Sequence, residues 1–249
     1  MSETLAVIAD VHGNSCALRA VLADIRSQGI TRVLALGDHF SGPLAARECA
    51  DLLVDSDILC LRGNHDRILS EQTPERMEHS DRVAFDQLAP DHLGWLRALP
   101  DVLRLEGIFA CHGSPESDTT YWLDRLGPSG ETQLRPLPET LALAEGIDEA
   151  LILCAHTHIP RRVDLPDGRA ILNPGSVGCP GFDDTHPQYH VIEAGTHAAC
   201  YATARPTPQG WATSHHHVPY DTARMVALAR QHGRRTWADA LGTGWLRGL

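Results

Sequence analysis

The sequence predicts an α/β (α+β) chain in one continuous two-sheet domain, and three observations carry that expectation. Strand-like and helix-like segments alternate as βαβαβ from the N-terminus to "RGNHD", the pattern of a sheet with helical crossovers. Strands return in the middle as "DVLRLEG" and "IFACHG". The later part carries "YHVIEA", "ACYATA" and "SHHHVPY" after an Asp167-Gly168 turn, which reads as antiparallel β.

Taken in order, "TLAVIAD" is a strand, and Leu18, Val21, Leu22 and Ile25 then follow the spacing of an amphipathic helix, with Ser15 as its N-cap and Gly29 as its stop. "RVLALGD" is a second strand, and "PLAARECADLLV" a second helix opened by Pro43. "DILCLRGNHD" is a third strand running into a loop. "PDHLGWLRAL" is the clearest helix of the next, more irregular stretch. A polar segment from Ser114 to Pro138 follows the middle strands, and a helix from Thr222 to Gln231 is expected to pack on the last sheet. No repeat, low-complexity run or linker divides residues 1–249. The expectation is a core at 4–193 with strands and a helix at 196–249 packed on it.

Composition narrows the function. The N-terminus "MSETLAVIADVHG" has no basic region before its short apolar run, so no signal peptide is expected. No segment approaches the roughly 20 apolar residues of a membrane span, and a cytoplasmic location is the default reading. Seven dispersed cysteines without C-x-x-C spacing argue for reduced thiols rather than a disulfide framework or zinc ribbon. A net charge of −11 disfavours a nucleic-acid polymer as partner, because such binding draws its affinity from basic groups on phosphates.

Chemistry-bearing residues gather where strands end. Asp10 and His12 follow the first strand, Asp38 the second, Asn64 and His65 the third, and His112 follows "IFAC". "ALILCAHTHIP" ends an apolar run in His156 and His158, which an extended strand would place on one face. The carboxyl ends of strands in open α/β sheets are where loops converge on a site. A lone Asp or Asn there is an ordinary turn residue, but five strand ends choosing ligand types together point to one centre. Four imidazoles, two carboxylates and an amide oxygen exceed one tetrahedral zinc site and suit two divalent metals sharing a carboxylate. His156 and His158 would then reach one metal each.

The ordered motifs "DVHGN" (10–14), "GDHFSGP" (37–43), "RGNHD" (62–66), "HGSP" (112–115), "AHTH" (155–158) and "NPGSVG" (173–178) resemble those of the calcineurin-like metallophosphoesterases, nearest to their small bacterial phosphodiesterase branch. The resemblance implies a four-layer αββα sandwich with two mixed β-sheets flanked by helices. It implies one metal on Asp10, His12, Asp38 and His158, and a second on Asp38, Asn64, His112 and His156. It also implies His65 as general acid oriented by Asp66, with Asn64 touching the phosphate. The implied function is hydrolysis of phosphodiesters or small nucleotides by a metal-bridged hydroxide, with Mn²⁺ foremost and Fe²⁺, Zn²⁺ or Ni²⁺ as alternatives. Other readings are a dinucleoside polyphosphate hydrolase, a phosphomonoesterase, or a non-catalytic scaffold of the same fold. The partner is a small phosphate ester; the oligomeric state is left open.

Several weaker signals remain. Cys154 reads as core packing, His39 as a packing residue near Asp38, and His215 to His217 as a strand surface. Tyr121 and Trp122 are either a flap over the metals or core aromatics. Asp183 and Asp184 are candidate rim residues that repel highly anionic substrates, and Arg62, Arg161 and Arg162 are candidates to attract them.

Overall fold

The computed structural model describes residues 4–246. The βαβαβ start is present as β1 (Leu5–Ile8), α1 (Ser15–Ser27), β2 (Arg32–Ala35), α2 (Ala46–Leu53) and β3 (Leu59–Cys60). In α1 the residues Leu18, Val21, Leu22 and Ile25 are all buried, as their helical spacing requires. Its cap is Asn14 rather than Ser15, since the Asn14 side chain accepts the Ala17 N–H at 3.0 Å and satisfies an orphan donor of the first turn. Helix α2 starts at Ala46, not at Pro43. The preceding segment is tied first to the loop after β1, where the Ala45 N–H donates to Gly13 O at 2.9 Å.

The third strand is only two residues long, and Asn64 opens a helix, α3 (Asn64–Glu71), instead of lying in a loop. The Asp66 carboxylate accepts the Gly63 N–H at 2.9 Å, so "GNHD" is a helix start in which an acidic third residue reaches back to the cap. There follow α4 (His79–Phe85), α5 (Pro90–Ala98), β4 (Val102–Leu105) and β5 (Ile108–Cys111). The polar stretch holds a hairpin, β6 (Asp124–Leu126) and β7 (Thr132–Leu134), and runs into α6 (Leu137–Leu143). Then come β8 (Leu151–Leu153), β9 (Arg161–Asp164), β10 (Ala170–Asn173), β11 (Gly181–Asp184) and β12 (His190–Glu193). The chain closes with β13 (Ala199–Thr207), β14 (Gly210–Val218), α7 (Ala223–Gln231) and α8 (Arg235–Thr243).

Two mixed five-stranded sheets result, in the orders β14-β13-β1-β2-β3 and β4-β5-β8-β10-β9. The period of two assigns each side chain of the central strands to a layer. In β1, Leu5 and Val7 enter the interior between the sheets while Ala6 and Ile8 face the helices. In β5, β8 and β10 the residues Ile108, Ala110, Leu151, Leu153, Ala170 and Leu172 meet them from the second sheet. Their alternates Phe109, Cys111, Ile152, Cys154 and Ile171 pack outward on Trp122, Leu123, Ala144 and Ile147. Helices α1 to α5 cover the other outer face through residues such as Leu18, Cys49, Leu69, Ala84 and Leu96. The expected four-layer αββα order is therefore the observed one.

The C-terminal helix α7 packs mainly on α8 rather than on the sheet, with Met225 and Ala229 against Trp237, Ala238 and Leu241. The partner is the apolar face that α8 presents at i, i+4 spacing, an element absent from the sequence reading. No helix among the described residues is long and apolar enough to cross a membrane.

Candidate metal centre

Strands β1, β2 and β3 run parallel to one another, as do β5, β8 and β10, so the loops leaving their carboxyl ends can share one edge. The seven grouped side chains meet there. Strand β8 stops at Leu153, so His156 and His158 lie in a loop and not on a strand face. Among the described residues, five non-glycine positions have left-handed backbone: Asp10, His12, Asp38, His156 and His158, with φ between 48° and 69°. Each such residue costs on the order of 1–3 kcal/mol and persists only where its surroundings over-determine it. Here they do. The His12 N–H donates to Asp38 O at 2.9 Å, Gly178 N–H to Asp10 O at 3.0 Å, and Ala155 N–H to His112 O at 2.7 Å.

The motif "NPGSVG" braces two of these loops. Asn173 Nδ2 donates to Ala155 O at 3.0 Å and lies 3.1 Å from Thr157 Oγ1, while Ser176 Oγ donates to Asp10 O at 2.8 Å. Close approach fixes the third loop. A Cβ on Gly63 would fall 2.2 Å from Asp38 Oδ1, so only glycine lets α3 start against that carboxylate.

The side chains form two clusters, Asp10 with His12 and His158, and Asp38 with His112 and His156, each with ligand atoms within 4.8 Å of one another. One oxygen joins them: Asp38 Oδ2 stands 3.6 Å from His12 Nε2 and 3.3 Å from His112 Nε2. Asn64 Oδ1 lies 3.0 Å from His112 Nε2 in the second cluster. Three imidazoles have Nδ1 committed to donating to backbone carbonyls, His12 to Ser41 O, His112 to Leu36 O and His158 to Cys179 O, at 3.0, 2.6 and 2.7 Å. Such bonds fix the tautomer and turn the Nε2 lone pair inward. Neutral His12 and His158 would thus face each other lone pair to lone pair at 3.2 Å, the arrangement of rings that share a cation. Among the described residues, both oxygens of buried Asp10 also lack a hydrogen-bond partner.

The electrostatics agree. Burial holds His12 and His156 neutral, lowering them to about 4 and about 3. Burial would raise Asp10 and Asp38, but nearby imidazoles, His158 foremost for Asp10 and His112 for Asp38, hold both carboxylates below their ordinary range. Burial likewise opposes charge on His112 and His158, yet Asp38 and Asp10 outweigh it, lifting His112 to about 9 and raising His158. Two buried carboxylates demand positive charge here, from protonated rings or from cations. The donor set, its orphaned oxygens and its inward lone pairs fit two divalent metal ions.

His65 stands at the mouth of this centre, its ring 5.5 Å from that of His12 and a third exposed. Its partner is not Asp66. The Asp66 carboxylate accepts the backbone N–H groups of Asp38, His39 and Gly63 at 2.8, 2.9 and 2.9 Å, so it shapes the Asp38 loop. Asp81, at the start of α4, takes the ring instead: His65 Nδ1 donates to Asp81 Oδ1 at 2.8 Å, and Ser41 Oγ donates to the same oxygen at 2.6 Å. Burial disfavours the charged ring, but Asp81 and Asp38 overcome this and push His65 up to about 10. The sequence reading missed Asp81 and Ser41, and only an acidic residue at a helix start hinted at the first.

A cavity of about 360 Å³ opens over His65 and the candidate ligands His12, Asp38, Asn64, His156 and His158, and a second of about 670 Å³, walled in part by Tyr121, Arg125 and Arg135, shares Asn64 and His156 with it. Trp122 is core, whereas the Tyr121 ring lies 5.0 Å from that of His156; the pair divides between the two earlier readings. Asp183 and Asp184 line the first cavity. Arg62, Arg161 and Arg162 line neither, being engaged by Asp101 and Glu71, Asp124, and Asp164. His39 is fully buried, its Nε2 donating to Leu61 O at 3.0 Å. In the histidine run, His215 bonds Asn173 O and His216 stacks on Tyr201.

Comparison with known proteins agrees with the geometry. A crystal structure of a metallophosphoesterase from Sphaerobacter thermophilus is similar over 98% of this chain and 100% of its own, with a TM-score of 0.75 and 25% identity. A hypothetical protein from Pyrococcus horikoshii OT3 shares the fold over 97% and 98%, with a TM-score of 0.73 and 20% identity. An uncharacterized protein of Methanocaldococcus jannaschii is 27% identical over 216 residues, 78% of this chain and 84% of that protein. The model of the calcineurin-like phosphoesterase superfamily domain matches residues 4–197. With a phosphoesterase family model spanning most of the chain and two buried Asp/His clusters at the shared sheet edge, the chain belongs to the calcineurin-like phosphoesterase superfamily.

Proposed function

We propose that this chain is a dinuclear metal-dependent phosphoesterase that hydrolyses phosphodiesters or small nucleotides, with His65 as the proton donor to the leaving oxygen. One observation carries the reading: Asp38 Oδ2 lies between two clusters of inward-facing imidazoles, directly beneath a histidine whose Nδ1 is held by a buried carboxylate. The first ion would be held by Asp10, His12, Asp38 and His158, the second by Asp38, Asn64, His112 and His156. When bound, such a pair supplies an acidified water and neutralises charge building on the phosphoryl group.

The chain's own residues supply the rest. Because Nδ1 of His65 is committed to Asp81, Nε2 is the nitrogen left to face the cavity, and the neighbouring carboxylates favour its protonated form. It can therefore give a proton to an alkoxide that would otherwise leave slowly. The Asn64 side chain lines both cavities, so it can also contact a phosphate seated between them. A scaffold protein has no need of this oriented acid over an open cavity.

The test uses protein loaded with Mn²⁺ and an activated aryl phosphodiester, with elemental analysis alongside. Turnover, about two ions per chain, and loss of both in Asp38→Ala are expected. Unchanged turnover in Asp38→Ala, or one tightly held ion at most, would refute the reading.

A further inference from the structure

The smaller cavity is lined, besides His65 and candidate ligands, by Arg76, Ser80 and Arg234, none of which belongs to the candidate ligand set. Among the described residues, the Nε of Arg234 and the Oγ of Ser80 are buried without a hydrogen-bond partner, and unpaired buried donors are costly unless something pairs with them. Neither the Arg76 nor the Arg234 side chain meets a carboxylate among the described residues, whereas Arg62, Arg67, Arg125 and Arg161 are all ion-paired. His79 Nε2 donates to His232 O at 2.8 Å. That bond ties the start of α4 to the α7–α8 turn and brings Ser80 and Arg234 to the same wall.

The wall lies on the side of the proton donor. Ser80 precedes Asp81, which holds the His65 ring, and Arg234 sits three residues before Trp237, whose ring meets that of His12 edge-on at 5.9 Å. Besides Asp38, the carboxylates lining this cavity are Glu78, Asp81, Asp183 and Asp184, of which Asp81 is already paired with His65. Arg76 and Arg234 are the arginines of this lining, so an anionic group entering the cavity is drawn toward them. Two guanidinium groups and a hydroxyl suit the several acceptor oxygens of a phosphate better than the two of a carboxylate.

We propose that Arg76, Ser80 and Arg234 form an anion subsite for a second phosphate, carried by the departing half of the substrate. This rests on the hydrolase reading above and names its substrate class: phosphoesters or phosphoanhydrides whose leaving group is itself phosphorylated. The reaction is ordinary hydrolysis. Water oxygen bonds to phosphorus and releases a proton to solvent, the bond to the leaving oxygen breaks with its electron pair, and His65 supplies that oxygen's proton and regains one from solvent, while the subsite holds the phosphate beyond it.

The experiment compares three substrates on the metal-loaded enzyme: a methyl phosphodiester of ethylene glycol, the same diester with a terminal phosphate on the glycol, and a nucleoside polyphosphate. Wild-type kcat/KM should favour a phosphorylated leaving group by about tenfold or more, and Arg76→Met/Arg234→Met should erase most of that preference through KM. Whichever phosphorylated substrate turns over faster identifies ester or anhydride as the source. An undiminished preference in the double variant overturns the subsite and leaves the hydrolase reading standing. Turnover of none of the three overturns the hydrolase reading, and calorimetry with 2-hydroxyethylphosphonate then decides the subsite. Binding weakened about tenfold in the double variant supports it, and equal binding overturns it.

Discussion

Replacing Asp81 by Asn is the sharpest probe of the proposed proton donor, because it removes a charge while leaving an oxygen in reach of His65 Nδ1. The carboxylate is almost fully buried and accepts from His65 at 2.8 Å and from Ser41 at 2.6 Å. A hydrogen bond to a charged group contributes about 1.5–3 kcal/mol and a neutral one about 1 kcal/mol. The substitution should therefore cost about 1–2 kcal/mol of transition-state stabilisation, or about 5- to 30-fold in rate. Asp81→Ala, which also removes the acceptor, should cost about 10- to 100-fold. The assay is kcat on two methyl phosphodiesters that differ only in the departing group, one a nitrophenol and one a simple alcohol. A nitrophenolate leaves without help from an acid, so the loss should concentrate on the alcohol ester. An equal loss on both esters would mean that Asp81 acts through folding or metal retention, and no loss on either would remove His65 from the proton transfer.

Other expectations follow from the same structure. Gly63→Ala places a Cβ 2.2 Å from Asp38 Oδ1 and 2.5 Å from the Asp38 backbone nitrogen; it should both lower the melting temperature and retain fewer ions by elemental analysis, and full metal content at unchanged stability would contradict the close-packing argument. Chelation should lower the melting temperature, since ions that bind only the native state at 100 times their Kd add about 2.7 kcal/mol; a midpoint insensitive to chelator would argue that the buried carboxylates are neutralised by protons instead. Leu153→Ala, in a fully buried strand between the sheets, should cost about 2–5 kcal/mol by denaturant titration. Glu48 is held down to about 2, chiefly by its hydrogen bond from Arg224. A depressed carboxylate contributes stability that is complete above its unfolded pKa and is lost as pH falls through the folded one. The destabilisation of Glu48→Gln should therefore shrink between about pH 5 and pH 2, and a pH-independent difference would assign the effect to packing.

Much of the architecture was written in local pattern. Apolar runs identified most strands of both sheets, and the 3.6-residue period identified the buried face of α1, because that period follows from backbone geometry alone. The grouping of Asp10, His12, Asp38, Asn64, His112, His156 and His158 was legible for a related reason: parallel strands direct their carboxyl-end loops to one edge, whatever their order in the chain. Where reading depended on backbone rather than residue type, it failed. His156 and His158 looked like strand neighbours, yet both sit in left-handed loop conformations that hydrogen bonds from other loops impose.

What only the tertiary structure decided is which polar group serves which. Asp66 follows His65 directly, and adjacency suggested that it orients the ring, but a helix starting at Asn64 turns that carboxylate back onto the Asp38 loop. Asp81 is indistinguishable by sequence from any acidic residue at a helix start. It meets His65 only because α4 docks beside α3, and Arg234 reaches the same cavity only because α8 folds back over the edge. Local spacing reports neighbours within one element, whereas contacts between elements are set by how whole faces pack, and no single segment encodes that angle.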